Sequence, residues 1–320
     1  MSGHHEPVLL EETLHHLLHG PGLYLDATLG DGGHALALLE REPAARLLGC
    51  DRDPDALAIA GRRLARFGDR VTLAHATFRE LEGAHRRLDA ELLAGALFDL
   101  GVSSRQIDDR ARGMSFTHDG PLDLRMDPSR GESAAERLLD IDEVELAGIL
   151  REHGDVRGAM RIARAIVAAA RAGRLGGTAA LASTVAGAVG GRSHPRLLAQ
   201  VFQAIRIWIN DEAGELEAAL EWLPRAMRPG GVVVTLAYHS GEDRRIKQAI
   251  RAPRETTPAR RRPPTLEERL PEGPWHALTS KVVTPSPGET PATRVHAARG
   301  CGPSPPVSYT HLTLPTILRV

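Results

Sequence analysis

Asp26-Ala27-Thr28-Leu29-Gly30-Asp31-Gly32-Gly33-His34 is the stretch on which the reading of this chain turns. It follows the short apolar run Leu23-Tyr24-Leu25 and precedes Ala35 to Arg41, which has helical spacing, so strand, glycine loop and helix succeed one another. Glycine lacks the Cβ that would block a close approach, and a helix N-terminus directs its free N–H groups outward, so such a turn can cradle a ligand. A glycine loop alone does not separate that role from a plain strand-to-helix connection. Further along, the order repeats. Arg46 to Cys50 reads as a strand ending at Asp51-Arg52-Asp53, Pro54 starts a helix reaching about Phe67, and Val71 to Ala74 and Ala94 to Leu100 are further strands. Strands alternating with helices predict a parallel sheet with helices on both faces. Upstream, Val8 to Leu18 has helical spacing that Pro21-Gly22 closes.

The acids around the loop indicate what it would hold. Asp26 at the strand end and Asp31 in the loop would repel the pyrophosphate of a dinucleotide, but they suit a sulfonium and an amino-acid ammonium group. S-adenosylmethionine is therefore the expected cofactor. Asp51 ends the second strand and is expected to accept hydrogen bonds from the ribose hydroxyls; its competing role is to cap the helix, for which Asp53, directly before Pro54, is better placed. Asp99 ends the fourth strand at the carboxyl edge, where open α/β sheets bind ligands. A carboxylate there could accept an N–H from an exocyclic amine and aim its lone pair at a methyl group, which makes Asp99 the first catalytic candidate beside the capping of its own turn. His239 is the second candidate. It follows a strand from Val232 to Ala237 that itself follows the turn Pro229-Gly230-Gly231, and a purely structural role competes with catalysis. No nucleophile elbow is present, and His4 and His5 stand too isolated to propose a metal site, so no metal is expected.

The segment from Gly101 to Arg130 is polar, rich in Asp, Arg and Gly, and without a period, which marks a long functional loop. Ala134 to Leu139, Glu143 to Arg151, Ala159 to Arg171 and Ala179 to Val189 then read as helices of an Ala-rich insertion. A helix from about Leu197 to Trp222 and the strand from Val232 return to the α/β style, so the sheet domain is discontinuous. Beyond Ile250, Arg254 to Pro264 is basic and Pro-rich, and Lys281-Val282-Val283 could add an edge strand. The 320 residues carry 40 Lys and Arg against 41 Asp and Glu, a net charge of −1, so any RNA contact must come from local basic patches. An aromatic share of 3% argues against single-strand binding by rows of stacked rings. Two cysteines exclude a disulfide framework, and neither a signal peptide nor an apolar stretch of membrane-spanning length is visible, so a cytoplasmic setting is expected.

The ordered motifs resemble the RsmH (MraW) family of bacterial methyltransferases of small-subunit ribosomal RNA. The likeness runs from His5 to about Pro287 and rests on His5-Glu6-Pro7-Val8-Leu9-Leu10, Gly32-Gly33-His34, Asp51-Arg52-Asp53-Pro54, Asp99 through Asp109, Arg112-Gly113-Met114-Ser115-Phe116 and Asp119 through Asp127. It implies a class I S-adenosylmethionine-dependent methyltransferase fold, a Rossmann-like sheet with an inserted all-helical domain. The implied division is residues 1–108 and 196–288 for the methyltransferase domain, 109–195 for a helical substrate-recognition domain, and a tail at 289–320. The implied reaction methylates N4 of one cytidine in the decoding region of 16S ribosomal RNA. The implied cofactor contacts are Gly32, Gly33, His34, Asp51, Phe78, Asp99 and Gln106, with Phe78 stacking on adenine. Arg105, Arg110, Arg112 and Arg125 are the expected phosphate contacts on small-subunit RNA, pairing with nearby aspartates being the alternative for each. Two other functions compete: methylation of DNA cytosine or a small molecule, and a non-catalytic RNA-binding assembly factor. No membrane partner is expected, and a homodimer is among the assemblies left open.

The chain also departs from the family. Two extra residues lie between Pro195 and Phe202, and the usual S-F-H-S-L-E-D-R appears as Ala237-Tyr238-His239-Ser240-Gly241-Glu242-Asp243-Arg244. From Glu289 the family's basic N-P-R-A-R-S-A-K-L-R segment is missing. Synonymous codons for Thr290 to Gly302 can be chosen so that their third bases open a frame reading A-R-N-P-R-A-R-S-A-R-L-R. The hypothesis is that Glu289 onward is read out of frame and that Val307 to Val320 derives from adapter or vector sequence; an intact family-like frame in the coding DNA would sink it.

Overall fold

A computed structural model describes residues 7–191, 194–251, 276–278 and 316–319. The chain forms two compact units, one of Met1–Gly101 with Ala213–Val320 and the other of Val102–Glu212. The first begins with helix α1 (Leu10–Leu17), strand β1 (Gly22–Asp26), helix α2 (Gly33–Arg41), strand β2 (Ala45–Asp51) and helix α3 (Pro54–Leu64). Strand β3 (Val71–His75), helix α4 (Leu81–Arg86) and strand β4 (Leu93–Asp99) follow. Pro54 occupies the first turn of α3, where its missing N–H costs nothing, and the Asp53 carboxylate accepts from the Asp55 N–H at 3.0 Å. The cap is thus Asp53, as its position before proline predicts. Successive strand residues alternate between two cores: Leu23, Leu25, Ala96 and Phe98 bury on one face of the sheet, Tyr24, Leu47, Ala94 and Leu97 on the other. Burial on both faces explains why these strands read as nearly continuous apolar runs.

The second unit is helical: α5 (Ser104–Asp108), α6 (Ala134–Asp140), α7 (Glu143–Gly154), α8 (Ala159–Arg171), α9 (Thr178–Ala188) and α10 (Pro195–Asn210). Leu138, Leu146, Leu150, Ile162, Ile166, Leu181 and Ile205 build its core. The insertion expected at 109–195 is narrower than this unit, because α10 contributes Val201, Phe202, Ala204 and Ile205 to the same core. The single helix expected from Leu197 to Trp222 is two, since Asp211 adopts a left-handed φ of 46° and ends α10. The stretch before α6 is not a loose loop. Asn210, buried, accepts the Met126 N–H at 2.8 Å and donates to the Leu124 carbonyl at 2.7 Å. The Arg112 guanidinium donates to the Met126 carbonyl at 3.0 Å, and the Arg112 carbonyl accepts from the Leu124 N–H at 3.0 Å. This lattice holds Leu124 at a left-handed φ of 63°, a conformation a branched side chain avoids unless its surroundings impose it.

The chain returns to the first unit through α11 (Glu212–Ala226), strand β5 (Met227–Leu236), helix α12 (Ser240–Arg251) and the short strands β6 (His276–Ala277) and β7 (Thr316–Arg319). The order across the sheet is β3-β2-β1-β4-β5-β7-β6. β1 to β5 pair in parallel, whereas β7 runs antiparallel to both β5 and β6. This is the class I methyltransferase arrangement, with its topological switch between β1 and β4, the crevice where doubly wound sheets bind ligands. Pro229-Gly230-Gly231 is not a turn before the strand but a bulge inside β5: Leu93 pairs with Met227 and Gly95 with Val232, so four residues of β5 oppose Ala94 alone. The edge strand expected at Lys281 to Val283 lies outside the described residues, and Thr316–Arg319 pairs with β5. Among the described residues no helix is long and apolar enough to cross a membrane.

Candidate active site

Three carboxylates mark the carboxyl edge at the switch: Asp26 ends β1, Asp51 ends β2 and Asp99 ends β4. Asp51 organises the glycine loop. Its Oδ2 accepts the Gly30 N–H at 2.7 Å and its Oδ1 the Asp53 N–H at 2.8 Å. Asp51 thus joins loop, β2 and the approach to α3 while it stays half-buried.

Asp26 is only 3% exposed, and its Oδ1 accepts the Thr28 N–H at 3.2 Å. Burial, opposed by that hydrogen bond and reinforced by the charges of Asp99 and Asp51, pushes its carboxyl up to about 8. At neutral pH Asp26 therefore carries a proton. This corrects the expectation that Asp26 repels a pyrophosphate as a fixed anion. The negative charge on this edge comes from Asp51 and Asp99, whose charges help keep the proton on Asp26.

His34, at the start of α2, points its Nε2 to the Val8 carbonyl at 3.2 Å. A carbonyl only accepts, so Nε2 carries the ring proton. Burial lowers the imidazole below its usual range against the pull of Asp99, and the ring is neutral with Nδ1 as an acceptor. Nδ1 lies 3.9 Å from Asp99 Oδ2, with the Asp99 side chain 25% exposed. Two acceptors so placed suit a shared N–H donor such as an ammonium group. The other oxygen, Asp99 Oδ1, accepts the Tyr238 hydroxyl at 2.7 Å, and the Thr28 hydroxyl oxygen accepts the Asp99 N–H at 2.6 Å. Burial first, then the Asp99 charge, raises the Tyr238 phenol well above its usual range, so it remains a donor.

The two adjacent glycines serve the protein's own packing. A Cβ on Gly33 would stand 2.5 Å from Pro7 Cγ, and one on Gly32, at a left-handed φ of 77°, would stand 3.3 Å from the Ala60 Cβ. A Cβ on Gly30, at φ 52°, would meet the Thr28 carbonyl oxygen at 3.9 Å. Phe78, in a 3₁₀ turn after β3, is half-buried and meets Phe98 edge to face at 5.2 Å. His239 is engaged with Glu242. Its Nδ1 accepts the Glu242 N–H at 3.4 Å, and its Nε2 lies 3.1 Å from Glu242 Oε1. Buried Glu242 in turn accepts the N–H groups of Tyr238 and His239, which fixes the entry to α12.

The remaining sequence-derived residues lie in the helical unit. Gln106 is buried, and its side-chain oxygen accepts the Ser103 N–H at 3.0 Å in a capping box at α5. Arg112 is 4% exposed and tied to the Met126 carbonyl, so it serves the loop and is withdrawn from the proposed phosphate contacts. Arg125 forks onto Asp123, with two contacts of 2.7 Å, and donates to the Gly131 carbonyl. Arg110 is exposed and Arg105 half-buried. Tyr238, Thr28 and Pro7 were not singled out from sequence; the only signal was that Tyr238 stands where the resembling motif has phenylalanine.

Residues 2–299 match the model of the MraW methylase family. The ribosomal RNA small subunit methyltransferase H of Sorangium cellulosum is 46% identical over 265 residues, covering 82% of this chain and 83% of that protein. The protein of the same name from Symbiobacterium thermophilum is 45% identical over 257 residues, with coverage of 78% and 80%. That from Methylobacterium nodulans is 41% identical over 296 residues, with coverage of 90% and 86%.

Proposed function

Since this chain belongs to the MraW methylase family, we propose that it methylates small-subunit ribosomal RNA with S-adenosylmethionine, at the N4 amine of one cytidine in the decoding region of 16S RNA. The observation that carries the cofactor assignment is the Asp99 Oδ2 and His34 Nδ1 pair, two acceptors 3.9 Å apart on an anionic sheet edge. Such an edge favours a ligand that is cationic and rich in N–H donors over one bearing a pyrophosphate. Asp51 would accept ribose hydroxyls, and Phe78 would lie against the adenine. When bound, the cofactor supplies an electrophilic methyl group on a sulfonium.

In-line transfer from a sulfonium asks the protein for alignment and charge placement more than for a strong base. Asp99 is suited to hold an N–H of the bound reactants, whereas His239 is committed to Glu242 at the start of α12. The exposed Arg110 and the half-buried Arg105 are the proposed phosphate contacts that remain. A cytoplasmic enzyme follows from an RNA substrate of this kind.

The test is mass spectrometry of nucleosides from small subunits incubated with enzyme and cofactor, with DNA as a parallel substrate. One N4-methylated cytidine per 16S RNA is expected. Incorporation into DNA alone would move the substrate to DNA cytosine, and a chain that binds RNA without cofactor would be an assembly factor.

A further inference from the structure

The helical unit is charged unevenly along its sequence. From Glu132 to Asp155 eight acids stand against two arginines, whereas from Val156 to Asn210 eight arginines stand against no acid at all. Five of these eight lie on α8 or its flanks, Arg157, Arg161, Arg164, Arg171 and Arg174, and all five are exposed. Helix α8 turns Ala159, Ile162, Ala163, Ile166, Val167 and Ala170 into the core. Its exposed positions are Arg161, Arg164, Ala168 and Arg171, spaced three or four apart, which makes them one outer stripe. From Arg161 to Arg171 the stripe runs about 15 Å at the helical rise per residue. Helix stability does not account for it: Arg161 stands in the first turn, where the macrodipole favours an acid, and α8 has no acid there. Two of the five are taken up locally. Arg164 Nε donates to Glu143 at 3.2 Å, and Arg171 Nη2 donates to the Ile141 carbonyl at 3.3 Å. Among the described residues, Arg157, Arg161 and Arg174 have neither a hydrogen bond nor an ion pair.

We propose that the outer stripe of α8, through Arg157, Arg161 and Arg174, is a phosphate-binding face that holds the backbone of the ribosomal RNA. A chain of net charge −1 can hold RNA only through local basic ground, and Arg112 and Arg125 of the preceding loop are committed to Met126 and Asp123. The face rests on the reading of this chain as an enzyme of small-subunit RNA and adds where that RNA is held. Guanidinium groups match phosphate oxygens in geometry as well as charge, and contacts of this kind fix register without reading sequence.

The test is a salt titration of binding to isolated small subunits and to protein-free 16S RNA. Wild type is compared with the triple variant Arg157→Ala, Arg161→Ala, Arg174→Ala and with the triple variant Arg157→Lys, Arg161→Lys, Arg174→Lys. Three lost contacts at about 0.7 counterion each should flatten the plot of log affinity against log salt by about 2 in the alanine variant. At about 0.1 M salt the same loss should lower its affinity about a hundredfold, on both probes. Lysine keeps the charge, so the lysine variant should retain the wild-type slope. Affinity for S-adenosylmethionine, read by calorimetry, should be the same in all three proteins. An alanine variant with the wild-type slope, equal losses for alanine and lysine, or a matching loss of cofactor affinity would each overturn the proposal. So would a loss confined to small subunits, which would assign the face to an acidic protein surface. Wild-type protein that binds neither probe would instead remove the RNA reading, and this face with it.

Discussion

Replacing Asp26 by asparagine should stabilise the cofactor-free protein, by an amount that grows with pH. The residue is 3% exposed, its carboxyl is pushed up to about 8, and its ordinary value is 3.8. Between those values the unfolded chain has lost the proton and the folded chain keeps it, so the unfolded state binds fewer protons. Stability from this group is full below 3.8 and is lost as pH rises toward 8, at about 1.4 kcal/mol per pH unit. Asparagine keeps an oxygen for the Thr28 N–H, now accepted by Oδ1 at 3.2 Å, and never ionises. The stability gap between Asp26→Asn and wild type should therefore widen by about 2.7 kcal/mol from pH 5 to pH 7 and level off above pH 8. Urea unfolding of both proteins at each pH measures this gap directly, since contributions from titrating groups not coupled to Asp26 cancel in the difference. A gap that stays constant from pH 5 to pH 7 would refute a buried, protonated Asp26.

Asp51→Ala should weaken S-adenosylmethionine binding by roughly 1.5–3 kcal/mol, the worth of hydrogen bonds to a charged acceptor, and calorimetry checks it; unchanged affinity would remove the ribose role. It also strips the acceptors of the Gly30 and Asp53 N–H groups, so the unfolding midpoint should fall as well. Arg112→Ala and Arg110→Ala should part company. Removing the buried Arg112 orphans the Met126 carbonyl and should cost about 1–3 kcal/mol of stability in denaturant titrations. Removing the exposed Arg110 should leave stability within about 0.5 kcal/mol and flatten the salt dependence of RNA binding by about one phosphate contact. An Arg112 variant of full stability, or an Arg110 variant with an unaltered salt slope, would reverse those assignments.

The segments that could be read directly are those whose rules are local. Apolar strand runs, the cap at Asp53 before Pro54 and the periodicity of α8 over Ala159–Arg171 all depend on neighbours within a few residues. So does the placing of Asp26, Asp51 and Asp99 at strand ends, because parallel strands all finish on one edge. Less visible was the division of labour among the loop residues. Gly33 reads as part of a ligand cradle, and the packing of Pro7 where its Cβ would go adds a second demand for glycine that the local sequence does not show. Arg112 reads as a surface cation in a polar stretch, yet it donates to the Met126 carbonyl within that stretch, which Asn210 holds from 84 positions along the chain.

From the order of its residues alone, this chain declares a doubly wound sheet, a helical insertion and three acids on one edge, since periodicity and capping are set by the chain's immediate surroundings. Which acid is charged, which oxygen is already taken and which histidine is free to accept are matters of the folded protein. Burial of Asp26 beside two other carboxylates decides its proton. Tyr238 and Val8, distant in sequence, decide how Asp99 and His34 face one another. Protonation and orientation depend on dielectric and on neighbours in space, and only tertiary packing supplies those.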